Sequence, residues 1–215
     1  MIDFILPFYG FNGTEVEKEL IGSAFLMRPN FLITAGHVVY DGQSFKSVGI
    51  LLKNKIFQLA KPIFYEYHQE YIKTDTICYD LSIYSIKGNF PDALILDVRQ
   101  LHRNEKFSFF GYGEFNGHTR EKSEISEVTI SIADSAFIKP SPSQSISVNN
   151  CFGITDFLNT GDSGAPIFDD KGVKGMIIRG FPKNGTKKNG DPHGTIILKS
   201  IYIQSALDSI SKELK

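Results

Sequence analysis

The chain has no tryptophan and only two cysteines, Cys78 and Cys151, among its 215 residues. Two cysteines are too few for a disulfide framework, and two buried free thiols are the expected state. No apolar run approaches the ~20 residues that a helix needs to span a bilayer. The N-terminus, "MIDFILPFYGFNG", has no basic segment, no long apolar stretch and no small-residue cleavage signal. A soluble, cytoplasmic protein without membrane contact is the expectation. Neither sign of charge is in excess: 23 Lys and Arg against 24 Asp and Glu leave a formal net charge of -1. That balance supplies no global field to attract nucleic acid or anionic lipid, so partners must be recognised by local patches. No Cys or His pair has zinc-ligand spacing, so no metal and no other cofactor is expected.

What the chain does have is 41% hydrophobic and 22% charged residues, the proportions of a folded globular protein. Short runs rich in Ile, Val, Phe and Tyr recur between Asn, Gly, Pro and Asp: "GSAFLMR", "FLITAGHVV", "SVGILLK", "LSIYSIK", "KFSFFGYG", "SEVTISIAD", "SISVNN", "APIFDD", "KGMIIRGF" and "GTIILKS". Each has the length of a strand and is closed off by turn residues, which makes the fold class all-β. Helical periodicity is clear at the end, where Ile203, Leu207, Ile210 and Leu214 recur every three or four residues. The stretch "GNFPDALILDVRQLHRNEK", residues 88 to 106, reads as a linker between two strand-rich halves of similar size. Closing each half into a barrel removes the exposed edges of its sheet.

Three stretches bear chemistry. "NTGDSGAPIF" holds Ser163 in a glycine-rich turn, "FLITAGHVVYD" puts His37 at the end of a strand run, and "DTICYDLSIYSI" opens a strand with Asp80. Each alone suits a turn, a cap or a surface loop. Together they have a use. A serine hydroxyl is a weak nucleophile at neutral pH, so an imidazole must take its proton during attack and return it to the leaving group. A carboxylate on the other ring nitrogen holds the productive tautomer. The chain order His, Asp, Ser is that of one class of serine hydrolase among several with other orders.

On those residues the sequence resembles the chymotrypsin-like (trypsin-like) serine peptidases. "TAGHV" is similar to their histidine box, "DLSIYSI" to their aspartate box and "GDSGAP" to their serine box, and "FGYG", "KGMIIRG" and "HGTIIL" extend the likeness over most of the chain. "LNTGDSGAP" resembles the disulfide-free bacterial members of HtrA-like or glutamyl-endopeptidase-like type. The resemblance implies two six-stranded-type antiparallel β-barrels with a C-terminal α-helix. One peptidase domain, 1–215, would divide into an N-terminal barrel to about 90, a linker at about 88–106, a C-terminal barrel at about 107–200 and a helix from about 201.

The resemblance implies that His37, Asp80 and Ser163 are the catalytic residues and that the N–H groups of Gly161 and Ser163 form the oxyanion hole. Asp80 is preferred over Asp75 because it directly precedes the apolar run, and His68, His102 and His118 match no box. Counting back six residues from Ser163 puts Phe157 at the base of the substrate pocket, with Gly180 and Gly194 on its walls, and implies an apolar preference. A one-residue shift would put Asp156 there and favour Lys or Arg. His193, with Arg179 and Lys183, would instead favour an acidic side chain. The family's usual ammonium partner for the aspartate before the serine has no counterpart here, so Asp162 needs another, with Arg28 and Arg179 as candidates.

The implied function is a serine endopeptidase acting on protein or peptide substrates through an acyl-enzyme, inside the cell, on few targets or under a regulatory partner. The alternatives are a catalytically silent protein-binding module on the same fold, a viral polyprotein-processing protease, and a serine esterase.

Overall fold

In the computed structural model, the apolar runs of the N-terminal half pair into one antiparallel sheet of seven strands. These are β1 (Ile5–Phe11), β2 (Lys18–Met27), β3 (Phe31–Thr34), β4 (Val48–Leu52), β5 (Lys55–Gln58), β6 (Phe64–Tyr67) and β7 (Asp80–Ser85), with a one-turn helix α1 (Gly36–Val39) after β3. Their order across the sheet is β5-β4-β1-β2-β3-β7-β6. The second half supplies β8 (Lys106–Phe109), β9 (Glu114–Phe115), β10 (His118–Thr119), β11 (Ser126–Ile132), β12 (Ala136–Ser141) and β13 (Gln144–Val148). It continues with β14 (Cys151–Ile154), β15 (Pro166–Asp169), β16 (Gly172–Gly180), β17 (Thr195–Lys199) and helix α2 (Ser200–Glu213). Strands β11-β14-β17-β16-β15-β8 close into a barrel, while β9 with β10 and β12 with β13 form two hairpins. Among the described residues one six-stranded barrel closes, as expected, while the N-terminal half is a seven-stranded sheet in place of the expected second six-stranded barrel. With the terminal helix, the arrangement is consistent with a chymotrypsin-like double barrel. The described residues are 2–11, 18–40, 44–53, 55–67, 80–115, 118–119, 126–132, 136–141, 144–148, 150–154, 161–180 and 195–213.

Strand periodicity explains why the runs of the second half are apolar without a break. Successive side chains of a strand point to opposite faces, so a strand covered on both sides needs hydrophobic residues at every position. In β16, Ile177 points into the barrel core with Phe107, Phe109, Val128 and Ile167. Its neighbours Met176 and Ile178 join the other core, which contains the N-terminal sheet and α2. In β17, Ile197 faces inward while Ile196 and Leu198 face outward. Ile203, Ala206, Leu207 and Ile210 of α2 are buried in that outer core, the stripe that the periodicity anticipates. Leu214 lies outside the described residues. No helix among the described residues is long and apolar enough to cross a membrane.

The segment between the halves is pinned at both ends. Leu94 exchanges backbone hydrogen bonds with Leu26 and Arg28 of the N-terminal half, at 3.1 and 3.0 Å. Three residues on, Asp97 N–H donates to Val173 at 2.9 Å and Val173 N–H donates to Ile95 at 2.8 Å. The connection is therefore a short ribbon bridging the two sheets. Lys174, which has no exposed surface, ion-pairs there with Asp97 and with Asp169, the latter at 3.1 Å. Arg99 closes the cluster on Asp97, Glu105 and Asp169 at 3.1–3.3 Å.

Burial raises the Asp97 and Asp169 carboxyls, but hydrogen bonds and charge from Lys174 and Arg99, with backbone N–H donors, outweigh it and hold both below the usual range. A carboxyl whose folded pKa is lowered adds stability above its unfolded pKa and loses it as pH falls through the folded value. The cluster should therefore weaken below about pH 4. Removing one partner of a buried pair leaves charge uncompensated, so Lys174→Met is expected to cost about 3 kcal/mol at pH 7. Less of that difference should remain at pH 3, and denaturant melts at the two pH values check both statements.

Candidate active site

His37 comes to its place because β3 stops early. Thr34 is the last residue of β3 paired to β7, opposite Ser82. Beyond it Ala35 is extended, and "GHVV" coils into α1 rather than prolonging the strand, despite its two valines. Tertiary pairing, which ends at Thr34, overrides the β preference of valine. The turn aims both the backbone and the ring of His37 at Asp80, the first residue of β7. His37 N–H donates to Asp80 Oδ1 at 2.8 Å, and Nδ1 lies 2.8 Å from Oδ2. Asp80 is buried, whereas a third of the His37 side chain is exposed. With a carboxylate as double acceptor, the ring proton sits on Nδ1 and leaves the Nε2 lone pair facing outward. Nε2 is 3.1 Å from Ser163 Oγ. The Tyr67 ring, from β6, packs at a tilt on the imidazole with centroids 6.2 Å apart.

Ser163 lies in the turn before β15, on the other half of the molecule. Gly161 has φ +95°, a conformation open to glycine and costly for other residues. Further along the turn, Gly164 N–H donates to Ile177 and Ala165 N–H to Asp162, at 2.8 and 2.9 Å. Among the described residues, the N–H groups of Gly161 and Ser163 are given to no acceptor. Two unused donors beside a hydroxyl hydrogen-bonded to an imidazole could together bind an oxyanion. Between them, the carboxylate of Asp162 is buried against the turn after β8. A Cβ on Gly111 would lie 2.7 Å from its Oδ1, and one on Gly113 would lie 2.6 Å from both oxygens. The glycines of "FGYG" thus make room for the Asp162 carboxylate.

Of the other residues singled out in the sequence, Gly180 ends β16, paired with Thr195 of β17. Phe157, His193, Gly194, Asp156, Lys183, Asp75 and His68 lie outside the described residues. So does the Arg179 side chain, whose backbone pairs with Ile196. Arg28 Nε donates to the Ala93 carbonyl at 3.0 Å. His102 is exposed in the connecting segment and His118 lies in β10. Cys151 is buried, with its Sγ 3.5 Å from Asn150 Oδ1.

Sequence reasoning passed over Ser23, which sits in β2 with no exposed surface. Its N–H donates to the Ser163 carbonyl at 2.8 Å, and its hydroxyl donates to the Gly161 carbonyl at 2.9 Å. A serine inside an apolar strand was the available signal, since a buried hydroxyl requires a partner.

A family model for trypsin matches residues 11–200. No curated protein is similar enough in sequence to match. Among solved structures, the chain is similar to the Rv3671c protease from M. tuberculosis in its active form, with a TM-score of 0.65 and 15% identity over 97% of this chain and 81% of that one. It is also similar to kallikrein-related peptidase 10, with a TM-score of 0.61 and 16% identity over 98% of this chain and 96% of that one. At such identities the structural likeness is one of fold.

Proposed function

Because this chain belongs to the trypsin family of serine endopeptidases, we propose that it cleaves peptide bonds of protein substrates with Ser163 as nucleophile, His37 as general base and acid, and Asp80 as the group that orients His37. The observation that carries this reading is the hydrogen-bonded line from Asp80 through His37 to Ser163, at 2.8 and 3.1 Å. Ser163 Oγ attacks the scissile carbonyl as Nε2 takes its proton. The carbonyl oxygen becomes an oxyanion, stabilised by the N–H groups of Gly161 and Ser163. Nε2 then protonates the departing amine and leaves an acyl group on Ser163. A water molecule, deprotonated by His37, releases that group and restores the serine. Asp80 accepts the Nδ1 proton's hydrogen bond throughout and stabilises the imidazolium.

The residue before the scissile bond would occupy a pocket with Phe157 at its base and Gly180 and Gly194 on its walls, an apolar preference by family resemblance; His193 in the same pocket would favour an acidic side chain instead. Action inside the cell on few targets belongs to the same reading. The test is a fluorophosphonate probe on the intact protein, alone and in a lysate, followed by a peptide library that varies the residue before the scissile bond. Labelling that requires Ser163, with cleavage after apolar residues, is the expected result. Unlabelled Ser163 under both conditions would favour a silent binding module, and cleavage after Lys or Arg would put Asp156 at the pocket base.

A further inference from the structure

We infer that Ser23 is a positioning residue for this reaction: its hydroxyl, supplied by the N-terminal sheet, locks the peptide between the two oxyanion donors. The inference rests on the proposed role of Ser163 and goes beyond it by naming what holds the oxyanion loop.

Gly161 creates the need. A glycine reaches φ +95° at little cost, but for the same reason it leaves that conformation easily. The Gly161–Asp162 peptide is the covalent link between the N–H of Gly161 and the N–H of Ser163, so a change in Gly161 ψ or Asp162 φ that the other does not compensate changes their relative direction. A hole with one donor turned away loses the larger part of its effect. Something must fix this peptide.

Ser23 is built to do so. Its Oγ–H donates to the Gly161 carbonyl at 2.9 Å, across 138 residues of sequence. The same Oγ accepts the N–H of Tyr112 at 2.9 Å. With one donor and one acceptor satisfied, the hydroxyl proton has a single favourable direction, toward Gly161. The main chain of Ser23 is fixed as well: its N–H holds the Ser163 carbonyl at 2.8 Å, and its own carbonyl accepts Thr34 Oγ1 at 2.8 Å. Tyr112 does not drift either. Burial pushes its hydroxyl up to about 12, so it remains a neutral donor, 3.2 Å from the Ile5 carbonyl of β1. The turn that borders Asp162 is thereby anchored to the N-terminal sheet, and Ser23 joins it to the oxyanion loop. In this chain the loop is held by internal groups on both sides, which makes the hole a standing feature of the folded protein.

Ser23→Ala separates the hydroxyl from the backbone, because the N–H to Ser163 remains. The experiment measures kcat and KM per active site, titrated with a fluorophosphonate, and the affinity of a peptide boronate that forms a tetrahedral adduct with serine. The expected result is a kcat about 10- to 100-fold lower with KM within threefold, and boronate affinity lowered by the same factor, as for an interaction made in the transition state. A merely structural role would lower the melting temperature or the titrated fraction but leave kcat per site alone. A kcat per site within twofold of the parent, in folded Ser23→Ala, overturns the inference and leaves the triad standing. If Ser23→Ala does not fold, Ser23→Cys, whose weaker donor fills nearly the same volume, is read by the same criteria and should give an intermediate loss. A parent protein without Ser163-dependent turnover overturns the triad reading, and this inference with it.

Discussion

Ser163→Ala is expected to lower kcat on a peptide amide about 10⁶-fold, with KM changed little. The hydroxyl is the atom hydrogen-bonded to Nε2 at 3.1 Å, and its removal deletes the attacking oxygen. The loss should stop short of the uncatalysed rate. The Gly161 and Ser163 N–H groups belong to the backbone and survive the substitution, and an oxyanion hole with intact substrate binding retains about 10³–10⁴-fold over water. The fold should survive too, because the Ser163 carbonyl still accepts the Ser23 N–H. Single-turnover and steady-state rates on the same peptide, with a melting curve, provide the check. A loss smaller than about 100-fold would assign the nucleophile elsewhere, since deleting the attacking atom removes the covalent route entirely.

Asp80→Asn should lower kcat about 10⁴-fold near pH 7 while leaving the site nearly isosteric. Asp80 accepts from two N–H groups, the His37 backbone at Oδ1 and the His37 ring at Oδ2. An amide has one oxygen and one NH₂, so it can satisfy only one of them as acceptor. If its oxygen takes the backbone N–H, the NH₂ faces Nδ1, which must then present a lone pair. The ring proton moves to Nε2 and points at Ser163, and the base is lost. If the amide turns over, its NH₂ faces the backbone N–H, donor against donor, in a buried site. Either arrangement weakens the acid–base pair. The check is kcat/KM across pH together with fluorophosphonate labelling, which should be slow but still depend on Ser163. Activity within tenfold of the parent would show that another acid orients His37.

Much of the site was legible because its chemistry is concentrated in short stretches. Gly161, Asp162 and Ser163 are adjacent in the chain, and the spelling of the turn reveals both the hydroxyl and the glycine that can reach φ +95°. His37 and Asp80 each stand beside a strand run, so local pattern marks them. Other parts had no local mark. β14, "CFGI", is four residues with a glycine and is buried along its whole length, so it shows no alternation. Lys174 reads as one more surface lysine until the ribbon from Ile95 to Asp97 closes over it. Ser23 resembles any small residue in a strand, because its partners lie 89 and 138 residues away.

The sequence alone determined where many of the strands and the last helix form, since period-two and three-to-four spacing, with Gly, Pro and Asn between the runs, act through neighbours along the chain. It also determined which side chains are able to serve as nucleophile, base and orienting acid. The tertiary structure decided that they meet. His37 and Asp80 stand on the N-terminal sheet and Ser163 on the barrel, and closing the two against each other sets the 3.1 Å contact. That closure also places Ser23 on the Gly161 carbonyl. The reason is physical: backbone propensity is a property of adjacent residues, whereas a hydrogen bond across 138 residues exists only when sheet pairing and core packing bring its ends together.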